Sequence, residues 1–134
     1  MRAAIALALA ALTISGAADA QSPASFAGEY RMQGKGYGAA DAAYDGTCSI
    51  VPDGQAYRVS CYNRDTRHTY TGKGLASGST FSIFIGDLLR GDHNAIFAGE
   101  YLVVYTRRAD GVLEGRWLHA PSAAAGSETL TPVR

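Results

Sequence analysis

The sequence predicts an all-β protein: an eight-stranded antiparallel up-and-down β-barrel, formed by residues 21–134 as a single domain and preceded by a signal peptide at residues 1–20. Three observations predict it. Beyond residue 25 the apolar positions alternate by two and no helical period recurs. Turn signals break this alternation at short intervals. An aromatic residue or Leu is followed two places later by Gly at Phe26/Gly28, Tyr44/Gly46, Tyr70/Gly72, Phe97/Gly99 and Leu113/Gly115, and each of these glycines falls on the inferred inner face. Gly weakens a strand, so its repeated use there needs a cause. Tight coiling at barrel corners, with room for a neighbouring ring, supplies one. A two-sheet sandwich is the competing architecture.

The elements follow in order. Met1-Arg2 gives a positive start and residues 3–12 an unbroken apolar run, shorter than the roughly 20 residues a membrane-spanning helix needs. Ala18-Asp19-Ala20 has the form of a signal-peptidase site, which places cleavage before Gln21. Phe26, Gly28, Tyr30 and Met32 then share one face of a first strand, and Tyr44, Gly46, Cys48 and Ile50 one face of a second. Pro52-Asp53-Gly54 turns the chain, because Pro presets φ and Gly accepts the positive φ that closes a hairpin. Tyr57, Val59 and Cys61 face inward on the third strand; the fourth carries Tyr70, Gly72 and Gly74. Ser77-Gly78 leads to a fifth strand with Phe81, Ile83 and Ile85, and a loop is expected from Gly86 to Ala95. The sixth strand runs from about Ile96 to Arg107, Asp110-Gly111 turns it into a seventh with Leu113, Gly115 and Trp117, and residues 126–133 form the eighth.

Composition narrows the function classes. The 134 residues carry 12 Lys+Arg against 12 Asp+Glu, so no basic face is indicated for nucleic acid. Arg outnumbers Lys by ten to two and Ala is abundant, as in proteins of GC-rich bacteria; with the leader, this points to a periplasmic or secreted protein. Two cysteines are too few for a disulfide-dense scaffold or an all-Cys zinc site. Cys48 and Cys61 flank a tight turn on the inward parity of adjacent strands, so a cross-hairpin disulfide is expected, contributing about 3 kcal/mol.

Six tyrosines (Tyr30, Tyr44, Tyr57, Tyr70, Tyr101 and Tyr105) and Trp117 take the inward parity. They either fill a small barrel, the simpler arrangement, or leave part of the lumen free. In the second case Tyr44, Tyr57, Tyr101, Tyr105 and Trp117 line a site for a small apolar or aromatic ligand. Glu128 then stands as a carboxylate at the barrel mouth, although a solvated strand end is the plainer reading. Outside, Phe84, Leu102, Val104 and Val112 form an apolar face, expected either as a partner or self-association surface or as scattered surface hydrophobes.

Catalytic signatures are absent from the sequence. His68, His93 and His119 have no metal-ligand spacing, and no G-x-S-x-G occurs. Glu100 and Glu114 could meet across a hairpin as a glycosidase pair, but their outward parity beside Arg116 fits a solvated face. Arg90-Gly91-Asp92 matches an integrin-recognition tripeptide and is read as a loop turn.

Gly28-Glu29-Tyr30, Tyr44-Asp45-Gly46, Tyr57-Arg58-Val59, Asp110-Gly111 with Leu113-Glu114-Gly115 and Trp117, and Gly126-Ser127-Glu128 with Leu130 resemble a family of small exported bacterial β-barrels often labelled fibronectin-binding. The resemblance implies a barrel of avidin-like architecture. Cys61 stands where that family often has an aromatic residue, so any shared lumen ligand is not implied. Periplasmic metalloprotease inhibitors, eight-stranded barrels with one disulfide, are also similar. The expectation is a non-catalytic binding module, without metal or other cofactor, that takes a protein partner through the outer face or the loops at 34–43 and 86–95. The alternatives are an inhibitor of a protease or cell-wall hydrolase, and a small-ligand carrier.

Overall fold

A computed structural model describes residues 24–36, 42–90 and 95–134, with side-chain detail omitted at 87–90 and 95–99. The segment expected to be a signal peptide, Gly91-Asp92 and His93 lie outside the described residues. The strands are β1 (Gly28–Lys35), β2 (Ala43–Asp53), β3 (Ala56–Asn63), β4 (His68–Ser77), β5 (Thr80–Arg90), β6 (Ala95–Arg107), β7 (Leu113–His119) and β8 (Ala125–Pro132). Each pairs antiparallel with the next, and β8 returns to β1 to close the barrel. The sandwich alternative is thereby excluded.

The alternation of apolar and polar residues positions these strands. Glu29, Arg31, Gln33 and Lys35 of β1 are exposed, while Tyr30 and Met32 are buried. On β3, Val59, Cys61 and Asn63 are buried and Arg58, Ser60 and Tyr62 exposed. This polar-outside order is the reverse of a membrane-spanning barrel. Among the described residues no helix is long and apolar enough to cross a membrane.

Two hairpins close on two-residue turns. Gly54 and Gly78 occupy the first central position with φ of 63° and 59°, a geometry that L side chains rarely adopt. The expected Pro52-Asp53-Gly54 turn is displaced by one residue, since Pro52 and Asp53 still pair, with Tyr57 and Ala56. The inner glycines answer to two constraints. At Gly46 and Gly72 a Cβ would strike the carbonyl oxygen of Tyr62 or Phe84 on the neighbouring strand, so the strands are tightly coiled there. At Gly115 a Cβ would strike the Tyr105 ring. Gly28 departs from the expected pattern: it begins β1 and is exposed, pairing with Ile50 of β2 but lying ahead of the β1–β8 ladder, which starts at Tyr30.

The expected loops are shorter than read. β5 continues to Arg90 and β6 begins at Ala95, so residues 86–90 are strand. The register shifts between Ile85 and Gly86, where Ile85 faces Tyr101 and Gly86 faces Gly99. The extra residue, Glu100, lies on β6, and the pairing of β5 continues past it to Arg90. Likewise Gly34 and Lys35 belong to β1 and Ala43 to β2. Arg90, read as part of a loop turn, closes β5.

One end of the barrel is plugged from the N-terminal side. Phe26 is buried just ahead of β1, stacked on Phe81 at 4.8 Å and edge-on to Tyr57 at 6.3 Å. Arg107 lies 3.7 Å from the Phe26 ring centroid and donates hydrogen bonds to the carbonyls of Ala24 (2.8 Å) and Ser25 (2.7 Å). The Tyr30 hydroxyl donates to the Phe26 carbonyl at 2.8 Å. These contacts hold residues 24–27 across that end as a lid of fixed geometry.

Cys48 and Cys61 face each other directly in the β2–β3 ladder, with Cα atoms 4.0 Å apart, and are disulfide-bonded. Both are buried, and the Met32 sulfur lies 3.6 Å from Cys48 Sγ. Replacing both by Ala removes the loop constraint and is expected to lower the unfolding free energy in urea by about 3 kcal/mol; an unchanged midpoint would show that the bridge contributes no stability. Phe26→Ala is expected to cost about 3 kcal/mol through the cavity it leaves, read in the same urea titration.

Candidate functional site

Glu128 is the organising residue. It lies inward on β8 at 9% exposure, between Gly34 of β1 and Gly115 of β7. Gly34 pairs on its other side with Tyr44 of β2, and Gly115 with Tyr105 of β6. Tyr44, Gly34, Glu128, Gly115 and Tyr105 therefore form one row across five strands. Neither glycine carries a side chain, so each tyrosine ring lies across its glycine toward the carboxyl. A Cβ on Gly34 would come within 2.1 Å of the Tyr44 ring, and one on Gly115 within 2.4 Å of Tyr105. The Tyr44 hydroxyl donates to Glu128 Oε2 at 2.7 Å, and the Tyr105 hydroxyl donates to Oε1.

Burial pushes the Glu128 carboxyl above the usual carboxylate range, outweighing the two tyrosine hydrogen bonds, which favour the anion. Burial and the neighbouring carboxyl push both tyrosines upward, so their hydroxyls remain protonated donors at neutral pH.

Above this row lies a cavity of about 50 Å³, lined by Met32, Cys61, Tyr70, Tyr101, Trp117 and Glu128 among others. Tyr70, Ile85 and Tyr101 in its wall are half-exposed, so the cavity reaches solvent. Its rim is aromatic. Tyr101 meets Tyr70 edge-on at 5.6 Å and Trp117 at 5.9 Å, and the His119 ring lies 4.8 Å from Tyr101. Trp117 is 6% exposed, and its indole N–H has no hydrogen-bond acceptor among the described residues, despite the nearness of the Tyr44 hydroxyl. The interior thus divides into a filled half under Phe26 and a cup at the opposite end.

The expected ligand residues divide accordingly. Tyr44, Tyr101, Trp117 and Glu128 line the cup. Tyr105 lies beneath it, fully buried, and meets the site through its hydroxyl. Tyr57 belongs to the plugged end, packed edge-on against Phe81 at 5.3 Å, because β3 enters the barrel there. The solvated-end reading of Glu128 is corrected: flanking glycines let two rings cover it. Met32, Asn63, Ile85 and Val103 also line the cup and were not singled out. Continuing the inward parity of Val59 and Cys61 one step would have reached Asn63, whose Oδ1 accepts the Asp65 and Thr66 amides at 3.0 and 3.1 Å.

The outer apolar face is also redrawn. Phe84, Leu102 and Leu118 lie side by side in register on β5, β6 and β7, at 43%, 43% and 41% exposure. Val104 is exposed one pair further along β6, opposite Ser82 and Arg116. Val112 precedes β7 and is half-buried; its carbonyl accepts the Arg108 amide at 2.8 Å, so it forms part of the turn and not of the face. Glu100 and Glu114 do not pair. Glu114 takes Arg108 at 2.7 Å near the plugged end, whereas Glu100 sits at the other end, its carbonyl accepting the Ala120 amide.

Among the described residues no group of three or more His, Cys, Asp or Glu side chains could hold a metal ion. No family model matches the chain, and no curated protein matches it.

A buried carboxyl with a raised pKa holds its proton longer when folded than when unfolded, so its contribution to stability falls as pH rises. The unfolding free energy of the wild type minus that of Glu128→Gln should be flat below pH 4.5, then fall as pH climbs toward the folded-state pKa. Urea titrations across this range read the difference; a constant or rising value would contradict the burial argument.

Proposed function

We propose that this domain is a non-catalytic binding protein, exported to the periplasm or beyond the cell, that holds a small ligand in the cup. The carrying observation is Glu128: a carboxyl sunk beneath a solvent-reaching aromatic cavity, with both oxygens oriented by tyrosine hydroxyls. A barrel needing only stability would be served by an apolar residue at that position, since buried carboxyls carry a desolvation cost. Pre-oriented polar groups in an apolar pocket are what ligand recognition requires. The disulfide is compatible with an oxidising compartment.

A second reading is favoured by the aligned Phe84, Leu102 and Leu118 side chains. It takes a protein partner on that face, which for an inhibitor would be a protease or a cell-wall hydrolase. Apolar side chains adjacent in register form one patch and not scattered surface hydrophobes.

One experiment separates the two. A small-molecule library is screened against isotope-labelled protein by amide chemical shifts. Hits are expected to move Tyr44, Tyr101, Trp117 and Glu128. Shifts confined to Phe84, Leu102 and Leu118, with association lost in Leu102→Lys, would overturn the cup reading in favour of the outer face.

A further inference from the structure

The chemistry of the cup points to the class of ligand it takes, an inference that rests on the binding reading above. We propose that the cup binds a small organic cation, its ammonium group seated between the Glu128 carboxylate and the rings of Tyr44, Tyr101 and Trp117.

Charge is the first argument. An ionised carboxylate has about four lone-pair sites, and the protein supplies Glu128 with two donors, both neutral phenols. Hydrogen bonds from phenols orient the carboxylate without neutralising it. The ion pairs among the described residues, Arg64–Asp45, Lys73–Asp53 and Arg108 with Asp110 and Glu114, all lie on the exposed surface. Glu128 forms none of them. A buried carboxylate without a counter-charge is costly, and a cationic ligand supplies that counter-charge.

The walls are the second argument. Tyr101 and Trp117 meet at 75° and Tyr101 and Tyr70 at 88°, so the rings form corners at the cavity and do not stack into a slot. Aromatic faces attract cations, and quaternary or primary ammonium groups are held in aromatic enclosures of this kind. A flat neutral ligand would be better served by parallel rings.

Size and the orphaned indole complete the case. The cavity of about 50 Å³ accommodates a head group and not the body of a drug-sized molecule. The rest of the ligand must leave past Tyr70, Tyr101 and His119 at the rim. The Trp117 N–H, buried and without an acceptor among the described residues, is met by an oxygen of the ligand or by water held beside it.

Trp117 is the single tryptophan, so its emission reports on the cup alone. The full-length protein is titrated at constant ionic strength with ethanolamine, methylammonium and the neutral isostere ethylene glycol. Both cations are expected to give saturable changes in the millimolar range, with ethylene glycol at least about tenfold weaker, the loss expected when a charge-assisted contact goes. Glu128→Gln should weaken both cations by about tenfold or more. Tyr101→Ala, at the half-exposed rim, provides a second variant should the first fail to fold, and should weaken them severalfold. No saturable response to either cation, or equal binding of ethylene glycol, would overturn the proposal. If neutral or anionic library members still shift the cup amides, only the cation assignment falls. If no compound shifts them, the binding reading falls too.

Discussion

The row from Tyr44 through Gly34, Glu128 and Gly115 to Tyr105 is the constraint on which the cup-bearing half of the barrel depends. It spans five strands and contains three inward side chains of substance. The two glycines are spacers. By leaving the wall bare on either side of β8, they let two phenol rings lie across it and reach one carboxyl. Any other residue at Gly34 or Gly115 would occupy the space of a ring, and the carboxyl would lose a donor. The polar group then survives burial because its partners are built into the same ladder that builds the wall.

From that row the rest of the interior is ordered by level. Toward the plugged end, Phe26 stacks on Phe81 and excludes solvent, while Arg107 ties the entering chain to the barrel. Toward the cup, Trp117, Tyr101 and Tyr70 step upward to the rim. The disulfide joins β2 to β3 on the side where Tyr30, Cys48, Cys61 and Tyr70 are successive neighbours around the wall. It stiffens the wall that carries part of the cup, since Cys61 is itself a lining residue. The proposed binding would thus draw on the same layers as stability: a closed, apolar half anchors a half-filled one in which polar groups can be held without collapse.

Some of the site was legible early and some was not, for identifiable reasons. Tyr44, Tyr101 and Trp117 could be placed inward because alternation survives through β2, β6 and β7 around them. Tyr57 has the same parity yet serves the other end, since parity assigns a face and says nothing of height along the barrel. Glu128 looked like a solvated strand end because its cover comes from residues 84 and 23 positions away in the chain. Val112 lies one residue ahead of β7, and β5 runs on past the register shift at Ile85/Gly86 to Arg90, where the extra residue belongs to β6. A two-residue pattern cannot register either a one-residue offset at a turn or an extra residue in a ladder.

By itself, the sequence determined the all-β class, the inward and outward faces, and the pairing of its two cysteines. Period-two burial is a local property of the chain, and two inward cysteines flanking a tight turn have little choice of partner. Tertiary structure alone decided the register in which the strands close the barrel that the sequence predicts, that Phe26 fills one end, and that Glu128 meets Tyr44 and Tyr105 across glycines. Those facts depend on strand order and register between segments distant in sequence. Register is settled by how rings, glycines and backbone fit together around the whole circumference, and no stretch of the chain records that alone.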